Sequence, residues 1–260
     1  MGRRWVLYFC VQTWPGNFYG LRDIWGDGPN NMYVIGGQSL LLHNTGSGWT
    51  PFNVPNTAPI SFSTIWGVGK ELFAAGMPGK ALLTNLYQYN KNKWTIENIF
   101  KKGGVGSFWG TSGKNLYALV GKRTFQYNGL SWAEVNTAGS YMREIWGSSA
   151  SDIFTVGSDG AVAHYNGSGW SPMVSGVEED LAAVWGSSGS DVYAVGDNAT
   201  IIHYDGKSWS GPVALDFGYM GPTSYRCTHL SSVGLSSATA VFAVGTGGTI
   251  LRRCPQGVCP

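Results

Sequence analysis

Five Trp-Gly pairs spaced near 40 residues, four short apolar runs in each interval, and an N-terminus that reads as the lost end of the last repeat predict an all-β, six-bladed propeller. The first observation is the repeat itself. Residues 184–209, "VWGSSGSDVYAVGDNATIIHYDGKSW", match residues 145–170, "IWGSSASDIFTVGSDGAVAHYNGSGW", position for position without a gap. The pair recurs at Trp25-Gly26, Trp66-Gly67, Trp109-Gly110, Trp146-Gly147 and Trp185-Gly186, and Gly234-Leu235 stands in its place in a sixth copy. A period of this length without helical patterning marks a propeller or a solenoid. The repeats run over approximately 12–54, 55–98, 99–137, 138–175, 176–215 and 216–260, the last joined by 1–11, in one domain.

The second observation is the grammar inside each copy. An apolar run ends in Trp-Gly, as in "MREIWG" and "LAAVWG". A polar turn follows, and then a β-branched and aromatic run such as "IFTVG" or "VYAVG". A Gly/Asp/Asn turn leads to a third run, "AVAHY" or "IIHY". A tight Asx-Gly turn, "NGSG" or "DGKS", leads to Trp and a fourth run. Asx-Gly between apolar runs is a strong hairpin signal, so each repeat holds four short antiparallel strands.

The third observation concerns closure. An open array of blades leaves sheet edges at both ends, and edges invite aggregation. "MGRRW" aligns with "DGKSW", Gly2 with Gly206 and Trp5 with Trp209, while the sixth repeat ends in "CPQGVCP" without a fourth strand. "RRWVLYFCV" therefore supplies the outer strand of the last blade, which accounts for its imitation of a signal peptide.

Composition limits the function classes. Only 12% of the 260 residues are charged and the net charge is +2, with no clustered Lys and Arg of the kind a nucleic-acid backbone requires. No apolar stretch approaches a membrane span. The 39 glycines argue for many turns, and 12 Trp with 13 Tyr supply too much apolar surface for a disordered chain. The composition reads as extracellular or cell-surface, with any secretion signal lying before this numbering.

The blade pattern W-G-S-S-x-S-D-V-x-A-V-G…I-x-H-Y-D-G-x-x-W resembles the short propeller repeats of secreted bacterial proteins and is similar to tectonin-type propellers. Some tectonin-like proteins are six-bladed lectins, so the resemblance, which covers nearly the whole chain, implies a propeller fold and a glycan-binding role.

Two rings of side chains are candidate binding residues. Trp25, Trp66, Trp109, Trp146 and Trp185 share one repeat position. They would stack on sugar rings if exposed, or wedge between blades if buried. His43, Gln88, Gln126, His164, His203 and Arg252 share a place on the third strand, where they would donate hydrogen bonds to sugar hydroxyls or an anion, or else to the backbone. Equivalent positions lie one blade apart, too far to share a metal ion, and no cofactor motif is present. A further Trp set, Trp5, Trp49, Trp94, Trp132, Trp170 and Trp209, reads as blade packing. Asp152 and Asp191 share a turn position and are expected to bond their own backbone. The acidic run Glu178-Glu179-Asp180 reads as a solvated loop.

Insertions carry recognition more often than the repeat does. Residues 77–88 lengthen blade two. Residues 214–229 join blades five and six and offer Tyr219, Tyr225 and Arg226 as contact residues. Four cysteines allow three pairings. Their places suggest Cys254–Cys259 and Cys10–Cys227, with Cys10–Cys254 as the alternative if the strands pair in a shifted register. The leading expectation is a non-catalytic extracellular binding propeller that takes a glycan or a protein surface, as a lectin does. A docking subunit of a larger extracellular assembly stands second, and a carbohydrate-active enzyme third.

Overall fold

In a computed structural model of the chain, the strands assemble into six separate sheets, antiparallel but for one two-residue strand, the blades of an all-β six-bladed propeller. The structure describes residues 4–10, 21–28, 30–55, 59–79, 84–100, 103–137, 141–212, 215–216, 229–237, 240–246 and 249–254. Two compact units divide the chain, Gly16–Asn136 with blades one to three, and Met1–Pro15 with Thr137–Pro260 holding blades four to six.

Blade four shows the pattern. Met142–Ser149, Asp152–Gly157, Val162–Tyr165 and Trp170–Met173 pair in chain order. The second strands of blades three, four and five, Asn115–Val120, Asp152–Gly157 and Asp191–Gly196, are buried from their second residue onward. Such strands are covered on both faces, which is why they read as continuous apolar runs and not as alternating ones. In blade five, Trp209 reaches Tyr204 only through an isolated bridge, so that sheet has three strands. One short 3₁₀ turn, Ser158–Gly160, follows the second strand of blade four.

The outer hairpins use one turn chemistry. Asn166 Oδ1 accepts from the backbone N–H groups of Ser168 and Gly169 at 3.0 and 3.2 Å, and Asp205 Oδ1 does the same for Lys207 and Ser208 at 2.9 and 3.0 Å. Gly167 and Gly206 follow at φ 90 and 92, a region that glycine enters without a Cβ clash.

The N-terminal strand Arg4–Cys10 lies where the sequence puts it. It pairs antiparallel with Thr249–Cys254, the third strand of blade six, with Trp5 opposite Arg253. Trp209 bridges Tyr204 in the same manner one blade earlier, so the alignment of Trp5 with Trp209 is a structural equivalence. Leu215–Asp216 adds a fifth strand, parallel, outside Arg4–Cys10. The register also excludes the alternative disulfide. Cys10 stands opposite Thr249 and Arg4 opposite Cys254, so Cys10 and Cys254 mark opposite ends of the ladder, far beyond the Cα separation of about 4.4–6.8 Å that a disulfide spans. Cys227 and Cys259 lie outside the described residues, and with them the pairings Cys10–Cys227 and Cys254–Cys259.

Candidate functional site

The third-strand ring is tied to its own blades. In each of the five Trp-Gly blades its member registers with an aromatic residue of the second strand: His43 with Tyr33, Gln88 with Phe73, Gln126 with Tyr117, His164 with Phe154 and His203 with Tyr193. Arg252 holds the same register against Phe242. His43 stacks there at 4.1 Å from the Tyr33 ring centre and His164 at 4.3 Å from Phe154, while His203 packs at a tilt 4.5 Å from Tyr193.

Each imidazole also bonds the residue that opens the second strand. His164 Nε2 lies 2.6 Å from Asp152 Oδ1 and His203 Nε2 2.7 Å from Asp191 Oδ1. His43 meets Asn31 Oδ1 at 3.0 Å, and Gln126 donates to Asn115 Oδ1 at 3.4 Å. The same aspartates accept a second bond on the other oxygen, from Ser148 Oγ to Asp152 and from Ser187 Oγ to Asp191, the latter at 2.6 Å. The expectation that Asp152 and Asp191 bond their own backbone is corrected: they join a hydroxyl to an imidazole. The missed signal was a spacing, since hydroxyl, acid and imidazole stand two, six and eighteen residues after the Trp in both blades.

This order has a chemical consequence. A nucleophilic triad needs the imidazole between hydroxyl and carboxylate, so that it can take the hydroxyl proton. Here the carboxylate is in the middle, and the arrangement fastens three strand segments together. Burial opposes ionisation of Asp191 most strongly, but the bonds from Ser187 and His203 and the charges of His203 and Arg253 outweigh it, and the carboxyl is held below its ordinary range. The folded pKa is therefore lower than the unfolded one. The stabilisation is fully present above the unfolded carboxylate range, about pH 4, and is lost as pH falls through the folded value. Asp191→Asn should lower stability at neutral pH by about 1–3 kcal/mol and lessen the loss on acidification. Thermal melts of both proteins across the acid range check this, and parallel curves would refute it.

Trp25, Trp66, Trp146 and Trp185 stand at blade junctions. Trp66 and Trp109 are buried, and Trp25, Trp146 and Trp185 are half-buried. Where a Cβ would project from Gly67, the Trp25 ring of the preceding blade lies 2.7 Å away; at Gly186 the Trp146 ring lies 2.7 Å away. Trp25 and Trp146 thus each lie on the glycine of the next blade's pair. Trp146 also meets Trp185 with ring centres 5.8 Å apart. One turn further, Gly189 abuts the Asp152 carboxylate, leaving 1.9 Å for a Cβ, so the next blade packs against the middle of the hydroxyl–carboxylate–imidazole chain.

Carboxylate hydrogen bonds cross these junctions as well. Asp23 Oδ2 accepts from Thr64 Oγ1 and the Ile65 N–H at 2.8 Å each, and Glu144 Oε2 accepts from the Val184 N–H at 2.8 Å. Burial raises the Asp23 pKa despite these bonds. Within the acidic run at 178–180, Glu178 is exposed but Asp180 departs from the solvated reading: it pairs with Arg143 of blade four and accepts from the Asp159 N–H at 2.9 Å.

The insertions divide. Residues 77–78 prolong the second strand of blade two, Glu71–Pro78, and residues 84–88 belong to the third, Thr84–Asn90; residues 80–83 lie outside the described residues. Tyr219, Tyr225 and Arg226 lie outside them too. Among the outer tryptophans, Trp94, Trp132, Trp170 and Trp209 each pack on a tyrosine across the hairpin, with ring centres 5.2–5.5 Å apart, whereas Trp49 is exposed.

An open groove of about 600 Å³ lies between blades one and two, lined among others by Trp25, Tyr33, His43, Phe52, Lys70, Glu71, Tyr89 and Lys91. Its origin is a break in the repeat. In blades four and five, Tyr204 and Trp209 close onto Phe154, at 5.4 and 6.3 Å between ring centres, and both are buried. In blades one and two, Phe52 stands where blade four has Met173. Tyr89 and Trp94 pack on Phe52 at 5.0 and 5.9 Å, and Tyr33, the counterpart of Phe154, meets Phe52 at 5.5 Å. Both Tyr89 and Trp94 remain half-buried. Residues that fill the later junction hold the earlier one open.

No protein-family model matches the chain, and no curated protein matches it. Solved structures do. A YCF48 from Cyanidioschyzon merolae is 16% identical, with 98% of this chain and all of that one covered at a TM-score of 0.59. A structure described as YCF48 bound to D1 peptide is 13% identical, with 91% of this chain and 93% of that one covered at 0.59. Virginiamycin B lyase from Staphylococcus aureus is 10% identical, with 92% and 85% covered at 0.66. At these identities the likeness is one of fold, and the fold hosts both binding proteins and an enzyme.

Proposed function

We propose that the chain is a non-catalytic docking propeller that works outside the cell and receives a protein segment. The observation that carries this reading is the groove between blades one and two, where departures from the repeat leave aromatic and amide side chains open. Ligand pockets combine an apolar lining with a few polar groups in this way, in volumes of about 300–1,000 Å³. A propeller of the same fold is described as binding a peptide, which lends the reading support. A glycan has weaker support. One face of Tyr33 is covered by the parallel ring of His43, Trp25 and Trp146 pack on the next blade's glycine, and Trp66 and Trp109 are buried, so flat sugar-stacking faces are few.

The test is a paired screen of the intact chain against a random-peptide display library and a glycan array. Peptides that enrich, bind saturably and compete with one another are the expected result. Saturable binding on the glycan array with no enriched peptide would return the lectin reading to first place.

A further inference from the structure

The same groove carries a charge that the repeat does not. Lys70 stands just before the residue that opens the second strand of blade two, where blades four and five have Ser151 and Ser190. Lys91 occupies the outer hairpin turn, at φ 49, where those blades have Gly167 and Gly206. Both lysines line the groove, both are exposed, and neither forms an ion pair with a described residue. Glu71 is the single carboxylate among the lining residues. Its Oε1 accepts from Asn90 Nδ2 at 2.6 Å, and its Oε2 lies against Gly113, where a Cβ would come within 1.8 Å. Burial lowers the His43 pKa, so the imidazole is neutral at neutral pH and adds no charge. Two ammonium groups are thus left facing the mouth of an aromatic groove whose acid is already engaged.

We propose that this groove takes an acidic protein segment, an apolar or aromatic side chain anchoring against Phe52 and Tyr89 while flanking carboxylates face Lys70 and Lys91. The inference rests on the docking reading above and adds the chemistry of the partner. The aromatic floor supplies the desolvated contact that dominates binding energy at interfaces. The exposed lysines select by charge complementarity and hasten encounter, and salt screens them over about 8 Å under physiological conditions.

The probe is a fluorescein-labelled synthetic peptide of alternating glutamate and glycine around a central tryptophan-leucine pair, titrated with the intact chain by fluorescence anisotropy. Saturable binding that weakens as sodium chloride is raised is expected. Replacing its glutamates by glutamines should weaken binding at least about tenfold. The double variant Lys70→Glu/Lys91→Glu should do the same while keeping the parental melting temperature, since both side chains are exposed. Tyr89→Ala should weaken binding through the anchor, and the lysine variant remains decisive if that protein unfolds. The inference is overturned if the peptide does not bind, if binding survives the lysine double variant, or if a heparin-derived oligosaccharide binds in a lysine-dependent way while the peptide does not. Neutral peptides enriched from the random library and indifferent to the lysine variant would overturn it too, yet leave the docking reading intact.

Discussion

Removing residues 1–11 is expected to be the most damaging small change to the chain. Arg4–Cys10 lies between Thr249–Cys254 and Leu215–Asp216, so its loss strips a partner from each. At about 1 kcal/mol net per ladder bond, the direct cost is several kcal/mol, against a total stability of only about 5–15 kcal/mol for a typical domain. The uncovered Thr249–Cys254 edge would then present unpaired N–H and C=O groups to other molecules. A strongly lowered melting temperature and concentration-dependent aggregation should follow. Adding the synthetic 1–11 peptide should recover part of both. A truncated protein that melts at the parental temperature would show the strand to be dispensable.

The second large effect belongs to the blade junctions. Trp66 is 9% exposed and packs within the apolar cluster that joins blades two and three. Trp66→Ala should cost about 3–5 kcal/mol, the range for deleting a large buried aromatic side chain. The partner glycine gives an independent check. A Cβ at Gly186 would lie 2.7 Å from the Trp146 ring and 2.8 Å from the Asp191 carbonyl, whereas at Gly169 nothing lies within 4 Å. Gly186→Ala should therefore destabilise by about 1–3 kcal/mol and Gly169→Ala hardly at all. Denaturant melts of the three variants decide between a wedge and an exposed stacking platform. Parental stability for Trp66→Ala and Gly186→Ala together would rule out the wedge.

The blades were legible in the sequence because period and turn chemistry are local. Gly167 and Gly206 announce their hairpins, and "IFTVG" and "VYAVG" announce strands covered on both faces. The outer strand of blade six was legible because a chain with five complete repeats and one lacking its last strand points to the segment that fills it. The candidate site was less legible. The third-strand residues could be listed from the sequence, but what they bond depends on the strand register, which brings Asp191 beneath His203 twelve residues away. The groove was harder still. It arises because Phe52 replaces a methionine and diverts Tyr89 from the ring opposite, a matter of packing between two blades that no single repeat displays.

The strand at residues 4–10 bears on how the protein comes into being. In every other blade, hydrogen-bonded strands are neighbours along the chain, so each sheet can form as it leaves the ribosome. Blade six alone joins segments separated by nearly the whole sequence, from Arg4 to Cys254. At synthesis rates of about 5–20 residues per second, "RWVLYFC" waits roughly 10–50 s for its partner. During that interval it is an apolar, strand-forming segment without a sheet, the kind of sequence that pairs with a second copy of itself. The demand for a chaperone should therefore begin when Arg4–Cys10 emerges and be released when Thr249–Cys254 follows it.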